Sequence, residues 1–135
     1  MKYNFEELDK LVNDWIKFQY EMQNVKLQED KDKIVCYDME LLDFCIIPKL
    51  PKLALSIILR IIEQDSSDYI IPVLAAGELE DLLTIHGEKL INDIEDIANK
   101  NIKFKKLLGG VWQGDMPDEL YLKITDIIGG EKNRW

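Results

Sequence analysis

The chain is expected to be all-α, a compact bundle or irregular helical-repeat-like stack of six to seven short helices. Three observations predict this. Apolar residues recur at three- and four-residue intervals along most of the 135 residues. Pro and Gly fall where such runs open and close. No pair of alternating apolar–polar runs flanks a hairpin turn, and the pairs Gly109-Gly110 and Gly129-Gly130 stand between helical patterns. A chain of this length fits one domain. The reading places a single all-helical domain over residues 1–130 and a loose tail over 131–135.

The first helix opens at Asn4, with Glu7 three residues on in capping-box position and Tyr3 placed to staple against Leu8. Phe5, Leu8, Leu11, Val12, Trp15, Ile16, Gln19 and Met22 form its apolar face. The polar stretch 24–33 reads as a solvated loop or frayed end. A second apolar segment runs from about Asp38 to Ile47 and stops at Pro48. Pro51 opens the next helix, over Pro51–Gln64, whose apolar residues cover nearly its whole circumference; it is expected at the centre of the fold. Asp65-Ser66-Ser67-Asp68 is a turn and cap cluster. A short helix over Tyr69–Ala76 is expected to end at Gly77, and another over Glu78–His86 at Gly87. Glu88–Ala98 and Ile102–Leu108 follow, the latter closed by Gly109-Gly110. Asp115 and Pro117 open the last helix, with Leu120, Ile124, Ile127 and Ile128 on one face.

Composition removes several classes of function. The net charge is −9, and both halves are acidic: 9 basic against 13 acidic side chains in residues 1–65, and 8 against 13 in 66–135. Such a surface has no footprint for neutralising phosphates, so neither nucleic acid nor an anionic membrane is an expected partner. A basic protein is the partner that this charge favours. No apolar run approaches the roughly 20 residues that span a bilayer, and the first residues lack a signal-peptide core, so a cytoplasmic location is expected. Cys36 and Cys45 match no zinc or redox spacing and read as small buried hydrophobes; one histidine cannot complete a usual metal set. No metal or cofactor is expected. The P-loop, the dinucleotide glycine fingerprint, the HExxH helix and the GxSxG elbow are all absent.

His86 is the one candidate general base. It falls on the apolar stripe with Leu79, Leu82 and Leu83, which suits a packed residue bonded to a backbone carbonyl, in the last turn of its helix. Glu80 and Asp81 are the carboxylates nearest in sequence, but separations of six and five residues place neither on its face. From Glu78 to Asp96 there are seven acids (Glu78, Glu80, Asp81, Glu88, Asp93, Glu95, Asp96) and one base, Lys89, a bias that suits a docking face or a solvated one. Trp112, beside Gln113-Gly114, is a candidate anchor that is expected to fold back and plug the end of the bundle.

At Leu74–Leu83 (L-A-A-G-E-L-E-D-L-L), His86-Gly87 and Leu107–Trp112 (L-L-G-G-V-W), the chain resembles a family of small bacterial proteins of unknown function. Residues 72–128 align loosely with it, and Glu78 stands where the family pattern has proline. The resemblance carries no activity. The leading expectation for function is therefore a non-enzymatic acidic protein-binding module, in its concrete form an immunity- or antitoxin-like protein that neutralises a basic partner. Its candidate binding residues are Glu80, Asp81, His86, Asp93, Asp96 and Trp112. The alternative is a small hydrolase-type enzyme using His86 with Glu80 or Asp81.

Overall fold

The computed structural model describes residues 3–25 and 36–135, and among these there are helices and connecting turns but no strand. Helix α1 (Phe5–Asn24) begins as its cap chemistry dictates: the Asn4 side chain accepts the Glu7 N–H at 2.8 Å and donates to the Glu7 carboxylate at 3.1 Å. It buries Leu8, Leu11, Val12, Trp15, Phe18 and Gln19. Phe5 stays exposed, with the Arg60 guanidinium 4.4 Å above its ring. Most of the polar stretch expected as a loop, 26–33, lies outside the described residues.

Helix α2 starts at Tyr37–Leu41, widens into a π turn over Leu42–Ile46, and resumes over Ile47–Lys49. It thus runs through Pro48 instead of stopping before it, with the widened turn directly ahead of the proline. Proline cannot donate to the helical ladder, and π turns are one of the recognised places where that ladder is rearranged. Helix α3 (Pro51–Gln64) has proline at its first turn, and buries Ala54, Leu55, Ile57, Ile58, Ile61 and Ile62. Leu53 and Leu59 are only partly buried. The side carrying Ser56, Leu59, Arg60 and Glu63 lines a shallow surface cleft instead of core, so α3 is less completely enclosed than its wheel suggests. The cap cluster forms as expected: Asp65 accepts the Ser67 N–H, and the Ser67 hydroxyl accepts the Ile70 N–H.

The largest departure from expectation follows. Gly77 and Gly87 stop nothing. Helix α4 (Ile70–Leu74) passes through a π turn (Ala75–Leu79) directly into α5 (Glu80–Lys100), one unbroken helical run. A glycine terminates a helix by adopting positive φ, and among the described residues only Gly114, Gly129 and Gly130 do so. Gly87 has another use: a Cβ there would lie 2.6 Å from the Leu120 side chain, so its bareness lets α5 approach α7 (Asp118–Ile127). His86 consequently sits within a long helix, not in a last turn.

The break comes at Asn101, whose extended backbone ends α5 and whose side chain caps α6 (Ile102–Leu108) by accepting the Phe104 N–H. Helix α7 buries Leu120, Ile124 and Ile127, with Ile128 buried just past its end. Helix α5 touches α3, α6, α7 and the end of α2, and the core is one continuous cluster. The stretch Glu131–Trp135, expected to be loose, is docked. After a 3-10 turn (Glu131–Asn133), the Trp135 backbone N–H donates to the Gly109 carbonyl and its indole N–H to the Lys106 carbonyl. Arg134 donates to Val111 and stacks 3.8 Å over the Tyr121 ring.

Trp135, not Trp112, is therefore the aromatic that folds back on the bundle. Its seat explains Gly110, where a Cβ would lie 2.3 Å from the indole. Gly110→Val is expected to unseat Trp135 and cost about 1–3 kcal/mol, the usual range for overpacking. Urea denaturation checks this, and in a Trp135→Ala background the same change should cost much less. An equal cost in both backgrounds would show that the indole is not what Gly110 accommodates.

Candidate functional site

Only part of the expected binding set is brought together. Glu80 and Asp81 lie in the first turn of α5. Glu80 is half-buried, and its carboxylate lies beside Gly114, 3.8 Å from where a Cβ on that residue would stand. Gly114 belongs to the same loop as Trp112. That indole is 72 % exposed, which overturns its expected role as a plug. The loop is held by Gln113, which donates to the Met116 carbonyl and the Asp118 carboxylate, and by the buried Val111 and Met116 on either side. Trp112 is thus an aromatic displayed from a fastened loop.

Asp93 and Asp96 are exposed on the same helix, roughly 20 and 24 Å from Glu80 at 1.5 Å per residue. Asp81, Glu88 and Glu95 are also exposed. Among the described residues none of these carboxylates is held in an ion pair; the pairs present join other residues, such as Lys10 with Asp14 and Arg60 with Asp9. Partial burial pushes the Asp81 carboxyl upward.

His86 does something different. Its Nε2 lies 2.9 Å from the Ile47 carbonyl and 3.0 Å from the Pro48 carbonyl, where an N–H on that nitrogen donates to both and pins the end of α2 to α5. No hydrogen bond joins the ring to Glu80 or Asp81. Of the two cysteines expected to be buried, Cys36 is half-buried and Cys45 exposed; both are free thiols. No group of three or more histidine, cysteine or acidic residues suited to a metal forms among the described residues.

The structure also shows an arrangement that the sequence reading missed. Glu78, counted there with the surface acids, is 6 % exposed. It lies in the π turn between α4 and α5, and its Oε2 accepts the indole N–H of the fully buried Trp15 at 3.2 Å. Against it stands the carboxyl of Asp43, from the π turn of α2. Asp43 Oδ1 is buried, and among the described residues no donor reaches it. Burial, and then the neighbouring Asp43 charge, push the Glu78 carboxyl up to about 8; burial also raises Asp43. A signal was available in the sequence. Glu78 stands four residues after Leu74 and four before Leu82, and Asp43 four after Met39 and four before Ile47, so both acids interrupt apolar stripes.

Among the described residues no helix is long and apolar enough to cross a membrane. No curated protein and no solved structure matches the chain. The match to known families extends further toward the N-terminus than the motifs that suggest it. Over residues 25–131 the chain matches the model of a family of unknown function, DUF6869, and it belongs to that family.

Proposed function

We propose that this protein is a non-enzymatic, acidic protein-binding module that docks a basic protein, in its most concrete form a cytoplasmic immunity- or antitoxin-like protein that neutralises a basic toxin. The observation that carries this reading is the series of exposed carboxylates along α5 that have no ion-pair partner among the described residues: Asp81, Glu88, Asp93, Glu95 and Asp96. Most surface acids gain little from isolated partners, but a strong excess of one sign on a rigid element, here broken only by Lys89 between Asp81 and Asp96, raises the local concentration of a basic molecule and speeds its encounter. Trp112 and Glu80 add an anchor at one end of that row. Exposed, rigidly held tryptophan is the residue type most enriched among side chains that dominate binding energy, and its face also receives cations. The rival reading, a small hydrolase built on His86 with Glu80 or Asp81, has less support, since Nε2 is engaged by two backbone carbonyls and neither carboxylate bonds the ring.

The test uses partners captured on the immobilised chain at low salt and then mixed with it in stopped flow. Association should slow steeply as salt rises, because exposed charges are screened over about 10 Å at 0.1 M. Replacing Glu80, Asp81, Asp93 and Asp96 by Gln or Asn should slow association about tenfold or more at low salt, while leaving the far-ultraviolet spectrum nearly unchanged. Association indifferent to salt and to the four substitutions would remove α5 as the docking face.

A further inference from the structure

The carboxyls of Asp43 and Glu78 are packed against each other beneath two π turns, and neither has a cation to balance it among the described residues. From α1 comes Trp15, a neutral donor to Glu78. From α5 comes Asp81, whose charge acts on Asp43 and opposes its ionisation. Helices α3 and α6 also pack on the Ala75–Leu79 turn, and their buried residues are all apolar. His86, two turns further along, fastens the other end of α2 through Ile47 and Pro48.

The geometry has a direct chemical consequence. Two adjacent ionised carboxylates in a buried site repel each other and leave the Asp43 Oδ1 without any hydrogen bond, a costly combination. One proton removes both penalties: it halves the charge and turns one carboxyl into the donor that the other lacks. We propose that Asp43 and Glu78 share a single proton and form a pH-sensitive latch, which holds α2 against α1 and the α4–α5 run and weakens as that proton is lost. Opening the latch uncovers Leu42, Ile46 and Ile47, the buried face of α2. The device is intrinsic to the chain and independent of any partner.

Its direction with pH is fixed by where the proton resides. In the unfolded chain a glutamate loses its proton near 4.5, whereas in the folded chain Glu78 keeps it to about 8. Between those values the folded state binds the extra proton, so rising pH favours unfolding; above the upper value the effect is constant. For one retained proton, the ratio of folded to unfolded chain falls by up to about tenfold per pH unit within that window.

Urea denaturation of the full chain from about pH 5 to 9 reads this directly. The wild-type midpoint should fall with pH and level off above about 8. Glu78→Gln supplies a permanent donor to Asp43 and should flatten the profile and raise the midpoint above neutral pH. His86→Asn should keep the wild-type slope. A decline that survives Glu78→Gln, or vanishes in His86→Asn, overturns the latch. Infrared spectroscopy gives a second readout that does not depend on stability. A protonated carboxyl band should be present in the folded wild type at neutral pH, lost reversibly on raising the pH past the upper value, and absent in Glu78→Gln. If Glu78→Gln does not fold, the wild-type band decides alone: its absence at neutral pH means that both groups are ionised and the latch does not exist.

Discussion

Trp15→Ala should be the most damaging single truncation in the chain, costing about 3–5 kcal/mol, the usual loss when a buried aromatic is cut back. Trp15 heads the largest fully buried side chains, so its removal leaves a cavity that α1, α2 and the α4–α5 run cannot all close upon. A second loss adds to the first, because the Glu78 carboxyl is left buried without the indole donor. Trp15→Phe reduces the first loss while keeping the second: it retains a six-membered aromatic ring, removes the N–H together with the rest of the five-membered ring, and should cost less, about 1–3 kcal/mol. Urea midpoints followed by far-ultraviolet circular dichroism measure both. Since domains of this size have total stabilities of about 5–15 kcal/mol, Trp15→Ala should leave a detectably unfolded population near 37 °C. A midpoint shift equivalent to under about 1 kcal/mol would show that α1 is not seated on the core through this residue.

Ile58→Ala should follow, at about 2–5 kcal/mol. Ile58 is fully buried on α3, among Ala54, Ile57, Ile61 and Ile62. Leu59, its neighbour, is only partly buried and lines the surface cleft, so Leu59→Ala should cost distinctly less. The comparison is sharper than either value, since the two changes remove similar volumes from adjacent residues of one helix and differ in which side of the helix they empty. Equal midpoints for the two variants would mean that α3 is rotated from the face assigned to it.

The helices were legible where periodicity and caps agreed. Asn4, Pro51, the Asp65–Asp68 cluster and the pair Gly109-Gly110 all mark real boundaries, because each acts through local backbone chemistry. Gly77 and Gly87 misled because a glycine inside a helix is spelled the same way as one that terminates it. At Gly87 the reason is tertiary, since its bareness makes room for Leu120; at Gly77 no atom lies within 4 Å of where a Cβ would stand, and no contact calls for glycine there. Trp112 and Trp135 exchanged roles for a similar reason, since the flat seat at Gly109-Gly110 can be filled from either side in sequence and is filled by the more distant indole. For the candidate site, Glu80, Asp81, Asp93 and Asp96 were read by composition alone, and their alignment on one rod became visible only with the unbroken helix. Glu78 was overlooked because composition groups it with the surface acids that follow it, although its spacing from Leu74 and Leu82 sets it on the apolar stripe; that it meets Asp43 is decided by tertiary packing, which spacing within one helix does not carry.

The continuity of the α4–α5 run also limits the shape of what could lie along it. From Asp81 to Asp96 the helix advances by about 22 Å, and no joint between them lets the two ends move independently. The carboxylates therefore form a fixed ruler. On the docking role proposed above, a complementary molecule would present positive charges over a matching length, either as a helix of about fifteen residues or as an extended segment of about seven at roughly 3.3 Å each. A compact basic knob could touch only one end. Because the helix is already formed before contact, a partner that is itself preformed at that spacing meets it with little ordering left to do, whereas a flexible basic tail must surrender its freedom to align.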